Sequence, residues 1–206
     1  DKLAELTFEK YAAWSDTYSE KEGQQALLAF SGEVFNGLKA RTLSEADLLF
    51  AQDHVRILSG LYGVLRPLDL ILPYRLEMGT KLKNPGGDNL YGYWKEIIPR
   101  RIAEDTGDRP NDITGSPVLI NLASNEYFKS IDPGSFPFDI ITPVFKETDG
   151  AGFRNVTIYA KKARGMMLRF IIENRIQDPE LLKAFDLEGY YFHNDLSTGK
   201  EWFFCR

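Results

Sequence analysis

The chain has 206 residues, of which 43% are hydrophobic, 27% charged and 13% aromatic, a balance typical of a soluble globular protein and not of a disordered, collagenous or coiled-coil one. The net charge of −5 argues against a general nucleic-acid binder, and the apolar runs are far shorter than the ~20 residues of a membrane-spanning helix. The single cysteine, Cys205, excludes an internal disulfide and favours a cytoplasmic location.

Helix signals are clear in the first half of the chain. It opens on Asp1-Lys2-Leu3 in the middle of a helical pattern, with no initiator methionine and no secretion leader, which predicts that an N-terminal segment is missing. Ser44 should cap a helix, because acidic residues follow in the first turn, where they suit the helix dipole. Asp88 is predicted to cap another helix, which Pro99 should kink or end.

The longest amphipathic pattern runs from Lys161 to Ile176. Its apolar residues follow the helical period and should face the core: Ala163, Met166, Met167, Phe170 and Ile171. A short helix is expected from Asp178 through Phe185, with Pro179 at its first position. Strands are predicted at Ala26–Phe30, Val55–Leu58, Val118–Leu122, Ile140–Phe145 and Val156–Ala160, and a hairpin is predicted from Gly189–His193 and Glu201–Cys205.

Together these elements predict an α+β fold, a single mixed α/β domain over residues 1–206 with a central mixed sheet and surrounding helices. Two loop-like stretches, 84–88 and 106–117, are too short to demand a domain boundary.

Charge is segregated along the chain. Residues 56–101 carry 8 basic and 4 acidic residues, and residues 154–175 carry 6 basic and 1 acidic residue, whereas the three stretches around them are net acidic. A fold that joins the two basic stretches would form a positively charged cleft. Two solvated faces without a shared purpose explain the same counts.

The first stretch that could carry chemistry is Leu58–Pro67. Ser59, Gly60 and Gly63 suit a tight turn that points free N–H groups at a phosphate, as in a helix-hairpin-helix module. Arg66 and Arg75 would add positive charge close by. A strand that runs into a turn explains the same residues.

The second stretch follows a predicted strand and is polar. At a strand's carboxyl end, where ligands bind in α/β folds, it offers four candidates for a ligand pocket: Asn121, Ser124, Glu126 and Lys129. Ordinary helix capping by Ser124 and a surface pair between Glu126 and Lys129 account for the same residues without a ligand.

The third stretch is the basic start of the long helix. Lys162, Gly165 and Arg169 share one stripe, and Lys161 and Arg164 run beside it. Cations near a helix start oppose the helix dipole, which favours an anionic partner there. A glycine in mid-helix costs about 1 kcal/mol relative to alanine, so Gly165 indicates close approach of a phosphate or of a packed neighbour.

Other chemistry finds little support in the sequence. The two histidines, His54 and His193, lie far apart, and no spacing typical of metal ligands, Walker loops or dinucleotide-binding loops occurs. We therefore expect no cofactor and no metal site.

Five segments, which include most of the three stretches above, closely resemble the bacterial YaaA peroxide-stress family. The resemblance runs in order over nearly the whole chain, although the family's N-terminal segment with its Ser-Pro-Ala-Lys motif is absent. It is carried by Leu58–Asp69, Pro73–Gly79, Ile120–Lys129, Tyr159–Gly165 and Arg169–Arg175.

The resemblance implies a cytoplasmic protein that protects against hydrogen peroxide, with a link to lowered free iron and to DNA protection. It further implies a fold peculiar to the family, with a positively charged cleft and a helix-hairpin-helix element that binds duplex or branched DNA. Two places remain open for that element: Ser59–Gly63, or the missing segment together with Asp1–Leu6.

The leading hypothesis is a non-enzymatic protein that binds DNA without sequence specificity and has no membrane partner. Its phosphate contacts would come from Ser59, Gly60, Gly63, Arg66, Arg75, Lys161, Lys162, Arg164 and Arg169. The alternative is an enzyme acting on a small phosphorylated or nucleotide-like ligand held by Asn121–Lys129, with Lys162 and Arg169 on the anion.

Overall fold

The computed structural model of the chain describes residues 5, 8, 11–12, 14–15, 18–19, 21–107, 117–131, 133–134, 136–150 and 152–206. Within them the α-helices are α1 (Ala26–Ala29), α2 (Glu33–Leu38), α3 (Glu45–His54), α4 (Leu90–Trp94), α5 (Ile97–Gly107), α6 (Asn125–Phe128) and α7 (Thr157–Glu173). Short 3₁₀ helices occupy Ala40–Thr42, Pro179–Ala184, Leu187–Gly189 and Asn194–Leu196. The strands are β1 (Gln24–Gln25), β2 (Ile57–Ser59), β3 (Gly63–Leu65), β4 (Leu70–Ile71), β5 (Val118–Ile120), β6 (Asp139–Thr148), β7 (Phe153–Arg154), β8 (Tyr191–Phe192) and β9 (Glu201–Cys205).

Strand β6 is the centre of the main sheet, in which the strand order is β5–β6–β9–β8 and β7 also pairs with β6. Strands β5, β6 and β9 run parallel, whereas β7 and β8 are antiparallel to β6 and β9. Outside this sheet, β1 pairs with β4 and β2 pairs with β3, both antiparallel. The mixed sheet and its surrounding helices confirm the predicted α+β class, and the β8–β9 pair confirms the predicted hairpin.

Helix α7 packs against the main sheet through the apolar stripe that its sequence predicts. Ala163 and Met167 are fully buried in one core cluster with Phe145 of β6 and Phe204 of β9. Phe170, farther along the same stripe, packs against the cluster while remaining half-buried. The helix therefore covers β6 and β9 and lies at the centre of the molecule's largest core.

The other side of α7 crosses α2 at two glycines. A Cβ at Gly165 would lie 1.8 Å from the carbonyl oxygen of Val34, and a Cβ at Gly37 would lie 2.1 Å from that of Lys162. The close neighbour that Gly165 indicated is thus the backbone of another helix, and the packing alternative accounts for it.

Two of the predicted strands are wrong, because both segments are helical. The run from Ala26 to Ala29 forms α1, since alanine and leucine are strong helix formers; the strand lies just before it, at Gln24–Gln25. Val156–Ala160 is instead the cap and first turn of α7. The β-branched residues there suggested a strand, but Ala160 is buried and continues the period of the core stripe.

The predicted helix starts are mostly confirmed. Ser44 makes a reciprocal capping box with Asp47, and Asp178 caps the 3₁₀ helix with Pro179 at its first position. Asn89, not Asp88, caps α4 by accepting from the backbone N–H of Gly92 at 3.0 Å. Pro99 lies in the first turn of α5, where its missing N–H leaves no helical hydrogen bond unmade.

Within the described residues, no helix is both long enough and apolar enough to span a membrane. The predicted loop over 106–117 falls largely on residues 108–116, which lie outside the described part of the chain, as does most of Asp1–Leu6.

Candidate functional site

The Ser59–Gly63 stretch is a β-hairpin. Strands β2 and β3 pair in register from Ile57 with Leu65 to Ser59 with Gly63, so the helix-hairpin-helix interpretation is wrong at this position and the strand-and-turn alternative is right. Gly60 is needed because a Cβ there would lie 2.3 Å from the carbonyl oxygen of Leu76.

The turn of this hairpin is packed against protein. Gly63 has a φ of +75°, and a Cβ there would meet the ring of Trp94 at 2.5 Å. The indole Nε1 of Trp94 donates to the carbonyl oxygen of Gly60 at 3.0 Å, and the N–H of Tyr62 donates to Ser59 Oγ at 2.9 Å. These groups serve the turn itself and are not directed at an external phosphate.

Ser59 is fully buried, and its hydroxyl is hydrogen-bonded to the hydroxyl of Tyr74 at 2.6 Å. Burial raises the pKa of Tyr74 to about 12, so its hydroxyl stays protonated at physiological pH. Tyr62 stands at 81° to the ring of Tyr74, and its hydroxyl accepts from Trp14 Nε1 at 3.0 Å. The residues around the hairpin therefore form an aromatic, hydrogen-bonded core.

The two arginines that follow the hairpin are exposed and paired. Arg66 Nε lies 3.4 Å from Asp69, and Arg75 Nε lies 3.2 Å from Glu77. Each guanidinium thus has a local carboxylate partner, which a phosphate would have to displace or share.

The polar stretch after β5 is held by internal hydrogen bonds. Asn121 is buried, donates from Nδ2 to Thr142 at 3.2 Å, and accepts from the N–H of Ala123 at 3.1 Å. Ser124 caps α6 through the N–H of Tyr127. The asparagine and the serine thus fix the turn from strand to helix.

Glu126 and Lys129 are exposed on or beside α6. Glu126 Oε1 accepts from the N–H of Gly79 at 3.0 Å, so it ties α6 to the loop after β4. The four predicted pocket residues are close in sequence, and the hydrogen bonds of Asn121, Ser124 and Glu126 are all explained by folding.

Two of the predicted cations on α7 are bound within the protein. Lys162 Nζ lies 2.5 Å from Glu188 Oε1. Arg169 Nη1 donates to the carbonyl oxygen of Leu38 at 3.0 Å and to Thr42 Oγ1 at 2.8 Å, while its Nη2 pairs with Glu173 at 2.6 Å. Arg169 thereby closes the carboxyl end of α2, where a positive charge is favourable.

Lys161 and Arg164 have different surroundings. Lys161 is exposed and Arg164 is half-buried, and neither has an ion pair or a side-chain hydrogen bond within the described residues. Burial lowers the pKa of Arg164, with no carboxylate among the causes. Because a guanidinium stays protonated in proteins, partial dehydration of this charge lowers the stability of the folded state.

The amino terminus of α7 lies one to two turns before these cations. Its cap residue, Val156, provides no side-chain hydrogen bond, and the first turn contains no acidic residue. Residues 157–159 are exposed, so the first N–H groups of the helix lack the usual side-chain acceptor. This helix end and the two cations form a surface with an excess of hydrogen-bond donors.

The helical period places Arg164 on the side of α7 opposite to Lys162, because two residues turn a helix by about 200°. Lys162 reaches Glu188, and Tyr159 on the same side lies under Arg206, with 5.2 Å from ring centroid to Cζ. Arg206 directly follows β9, one neighbour of β6, and β5 is the other. Arg164 is therefore on the β5 side, as is Asn121.

Sequence reasoning missed a cluster of charges around Arg206. Its guanidinium contacts Glu147 at 2.9 Å and Glu188 at 3.2 Å, and Tyr190 donates to Glu147 at 2.5 Å. Burial is the main reason why the pKa of Tyr190 is raised. The residues come from β6, a 3₁₀ helix and the chain's end, and no local pattern links them.

No group of three or more His, Cys, Asp or Glu side chains suited to a metal ion occurs among the described residues. Cys205 is a buried free thiol, and burial raises its pKa.

The model of one protein family, described as peroxide stress protein YaaA, matches residues 1–196. This match covers nearly the whole chain, including the hairpin, the turn after β5 and all of α7. The chain belongs to the YaaA family of peroxide stress proteins.

Proposed function

We propose that this peroxide-stress protein acts in the cytoplasm by binding the phosphates of duplex or branched DNA, without sequence preference, at the amino-terminal half of α7. The observation that carries the proposal is Arg164, a half-buried guanidinium with no carboxylate partner within the described residues. A partly dehydrated, unpaired cation is costly to the fold, and an anionic ligand would offset that cost.

The helix start, about two turns before Arg164, supports the same ligand. Free N–H groups and the helix dipole favour an anion at the amino terminus of α7, and exposed Lys161 lies one turn into the helix. Phosphate groups of a DNA backbone match this set of donors, and such contacts carry no information about base sequence.

The remaining predicted cations have a different part in the proposal. Three of them form an ion pair with one carboxylate each: Arg66, Arg75 and Lys162. Arg169 pairs with a carboxylate and also donates to a carbonyl oxygen at the end of α2. They contribute to the electrostatic field around bound DNA, while Lys161 and Arg164 make the direct contacts. Ser59, Gly60 and Gly63 shape the hairpin and lie outside the contact set.

The lowering of free iron under peroxide is part of the proposal as an effect in the cell. We expect cells that lack the protein to contain more chelatable iron during peroxide exposure, and re-expression to reverse that rise. A chelatable iron level independent of the protein would contradict this part without affecting the DNA-binding part.

The direct test is anisotropy of a labelled duplex with the Lys161→Glu variant. We expect duplex affinity to fall by about tenfold, since one favourable phosphate contact becomes a repulsive one. The matched control is Lys200→Glu. This exposed lysine directly precedes β9, and its carbonyl oxygen accepts from the N–H of Thr142 near the start of β6, whereas the strand that leads into α7 pairs with the other end of β6. The variant makes the same change in net charge and should leave the affinity near that of the wild type.

Equal effects of the two variants would contradict the proposed site, because they would indicate a response to net charge alone. Complete competition of the duplex by a nucleoside monophosphate at low concentration would instead favour the small-ligand alternative.

A further inference from the structure

A groove lies between α1, the loop that follows it, α2 and the 3₁₀ helix Ala40–Thr42. Its volume is about 520 Å³, within the range of roughly 300 to 1,000 Å³ of pockets that hold small molecules. None of the predicted site residues lines it, and no acidic side chain is among its lining residues.

The floor of the groove is apolar. Leu27 is almost fully buried, and Leu28, Phe30 and Phe35 are half-buried. The rings of Phe30 and Phe35 stack at 5.5 Å with 19° between their planes. Such a floor suits an aliphatic or aromatic body, which would bury apolar surface on binding.

The rim of the groove is cationic. Lys39 and Arg41 are both exposed and line the groove. Arg41 makes one long hydrogen bond, at 3.4 Å to the carbonyl oxygen of Leu28, and Lys39 has no ion pair within the described residues. The nearest acidic side chain on α2, Glu33, accepts from Asn36 at 3.3 Å and lies about two turns before Lys39.

Lys39 ends α2 in the left-handed backbone conformation. Three non-glycine residues have a positive φ in the described chain: Lys39, Arg175 and Glu188, a conformation that costs lysine more than glycine. Arg175 pairs with Asp47, and Glu188 pairs with Lys162. The side chains of Arg175 and Glu188 thus form ion pairs within the fold, whereas Lys39, whose left-handed backbone ends α2, has no ion pair within the described residues.

The turn that carries Lys39 is held rigidly. Arg169 Nη1 donates to the carbonyl oxygen of Lys39 at 3.3 Å, in addition to its bonds to the carbonyl oxygen of Leu38 and to Thr42 Oγ1. The N–H of Lys39 also donates to the carbonyl oxygen of Phe35 at 2.9 Å. Fixing this turn keeps the lysine at the rim before any ligand arrives, which lowers the cost of binding.

We propose that this groove binds a small amphipathic organic anion, whose apolar or aromatic body lies on Leu28 and Phe35 and whose carboxylate or phosphate lies between Lys39 and Arg41. The apolar floor selects the body, and the two cations, neither of which has an ion pair among the described residues, select the charged group. The lining residues do not include Lys161 or Arg164, although α2 also crosses α7 at Lys162 and Gly165, and the proposal does not depend on DNA binding.

The test uses titration calorimetry with 4-phenylbutyrate, its neutral counterpart 4-phenylbutanol, and 3-phenylpropyl phosphate. We expect both anions to bind with 1:1 stoichiometry, and the alcohol to bind about tenfold more weakly or not at all. The tighter of the two anions identifies whether the site prefers a carboxylate or a phosphate.

The decisive variants are Lys39→Asn and Lys39→Gly, because both residue types accept the left-handed backbone. We expect each to weaken anion binding by at least about fivefold, and Lys39→Gly to raise the midpoint of thermal unfolding. Lys200→Asn, at another exposed lysine, is the matched control and should bind like the wild type. Equal binding of acid and alcohol, no saturable binding of either anion, or unchanged binding by both Lys39 variants would overturn the proposal.

Discussion

Arg164 and Arg169 lie on one helix and have different neighbours. Arg169 satisfies carbonyl groups at the end of α2 and pairs with Glu173, so its charge is used within the fold. Arg164 is half-buried and has no such partner within the described residues. Both residues are equally suited to a phosphate in the sequence. Arg169 differs through Leu38 and Thr42, 131 and 127 positions earlier in the chain, as well as through its local pair with Glu173.

Asp47 is the residue for which the structure gives a clear dependence on pH. Hydrogen bonds from the hydroxyl and backbone N–H of Ser44, and an ion pair with Arg175, lower its pKa from 3.8 to about 2. A lowered pKa in the folded state stabilises the protein above the unfolded value, and that contribution disappears as the pH falls through the folded value.

The Asp47→Asn variant should therefore be less stable than the wild type at neutral pH. The difference in unfolding free energy should be constant above pH ~4 and shrink towards pH ~2, because the wild-type carboxyl then takes up a proton. Urea unfolding between pH 6 and pH 3 measures it. A difference that stays constant down to pH 3 would show that the charge of Asp47 contributes nothing.

The contact between α2 and α7 is so close that adding a single methyl group tests it directly. A Cβ at Gly165 would lie 1.8 Å from the carbonyl oxygen of Val34, so Gly165→Ala must push the helices apart. Helix propensity alone predicts that alanine stabilises this position by about 1 kcal/mol.

We expect instead a loss of about 3 kcal/mol in unfolding free energy, because overpacking a rigid backbone contact outweighs propensity. The control is Gly199→Ala, where nothing lies within 4 Å of the added Cβ, and its stability should change little. Denaturant unfolding of both variants measures the two changes in unfolding free energy. A Gly165→Ala variant more stable than the wild type would contradict the close crossing of α2 and α7.

How well elements could be predicted depended on how local their signals are. The stripe of α7, the Ser44 helix cap and the β8–β9 hairpin are set by residues close in sequence, and all three are confirmed. The Ala26–Phe30 strand was wrong because a short apolar run does not distinguish a strand from a buried helix by its period. The strand predicted at Val156–Ala160 was wrong because β-branched residues there favour a strand locally. The helical signal at this position is a single buried alanine, Ala160.

At the scale of the whole molecule, the family and the fold class could be read from the sequence, while the state of each charged group could not. Arg66 and Arg75 pair with carboxylates three and two residues away in the sequence, whereas Lys162 pairs with Glu188, 26 residues away. The Arg206 cluster joins three distant segments. The distant pairings arise from tertiary packing. Together with the local pairs, they leave Lys161 and Arg164 as the proposed phosphate contacts.

The central claim is that Arg164 is kept unpaired for an external phosphate. The variant Arg164→Met removes the charge but keeps a long side chain that can pack in the same place. If the fold bears the cost of burying an unpaired guanidinium, this variant should unfold at the same temperature as the wild type or higher.

The most direct measurement is the salt dependence of duplex binding by wild type and Arg164→Met, with thermal unfolding recorded on the same samples. We predict that the plot of log affinity against log salt becomes shallower by about 0.9, the slope contributed by one phosphate contact, while stability is kept or raised. An unchanged slope, or a variant that is clearly destabilised, would contradict the account, because Arg164 would then serve the fold and not the DNA.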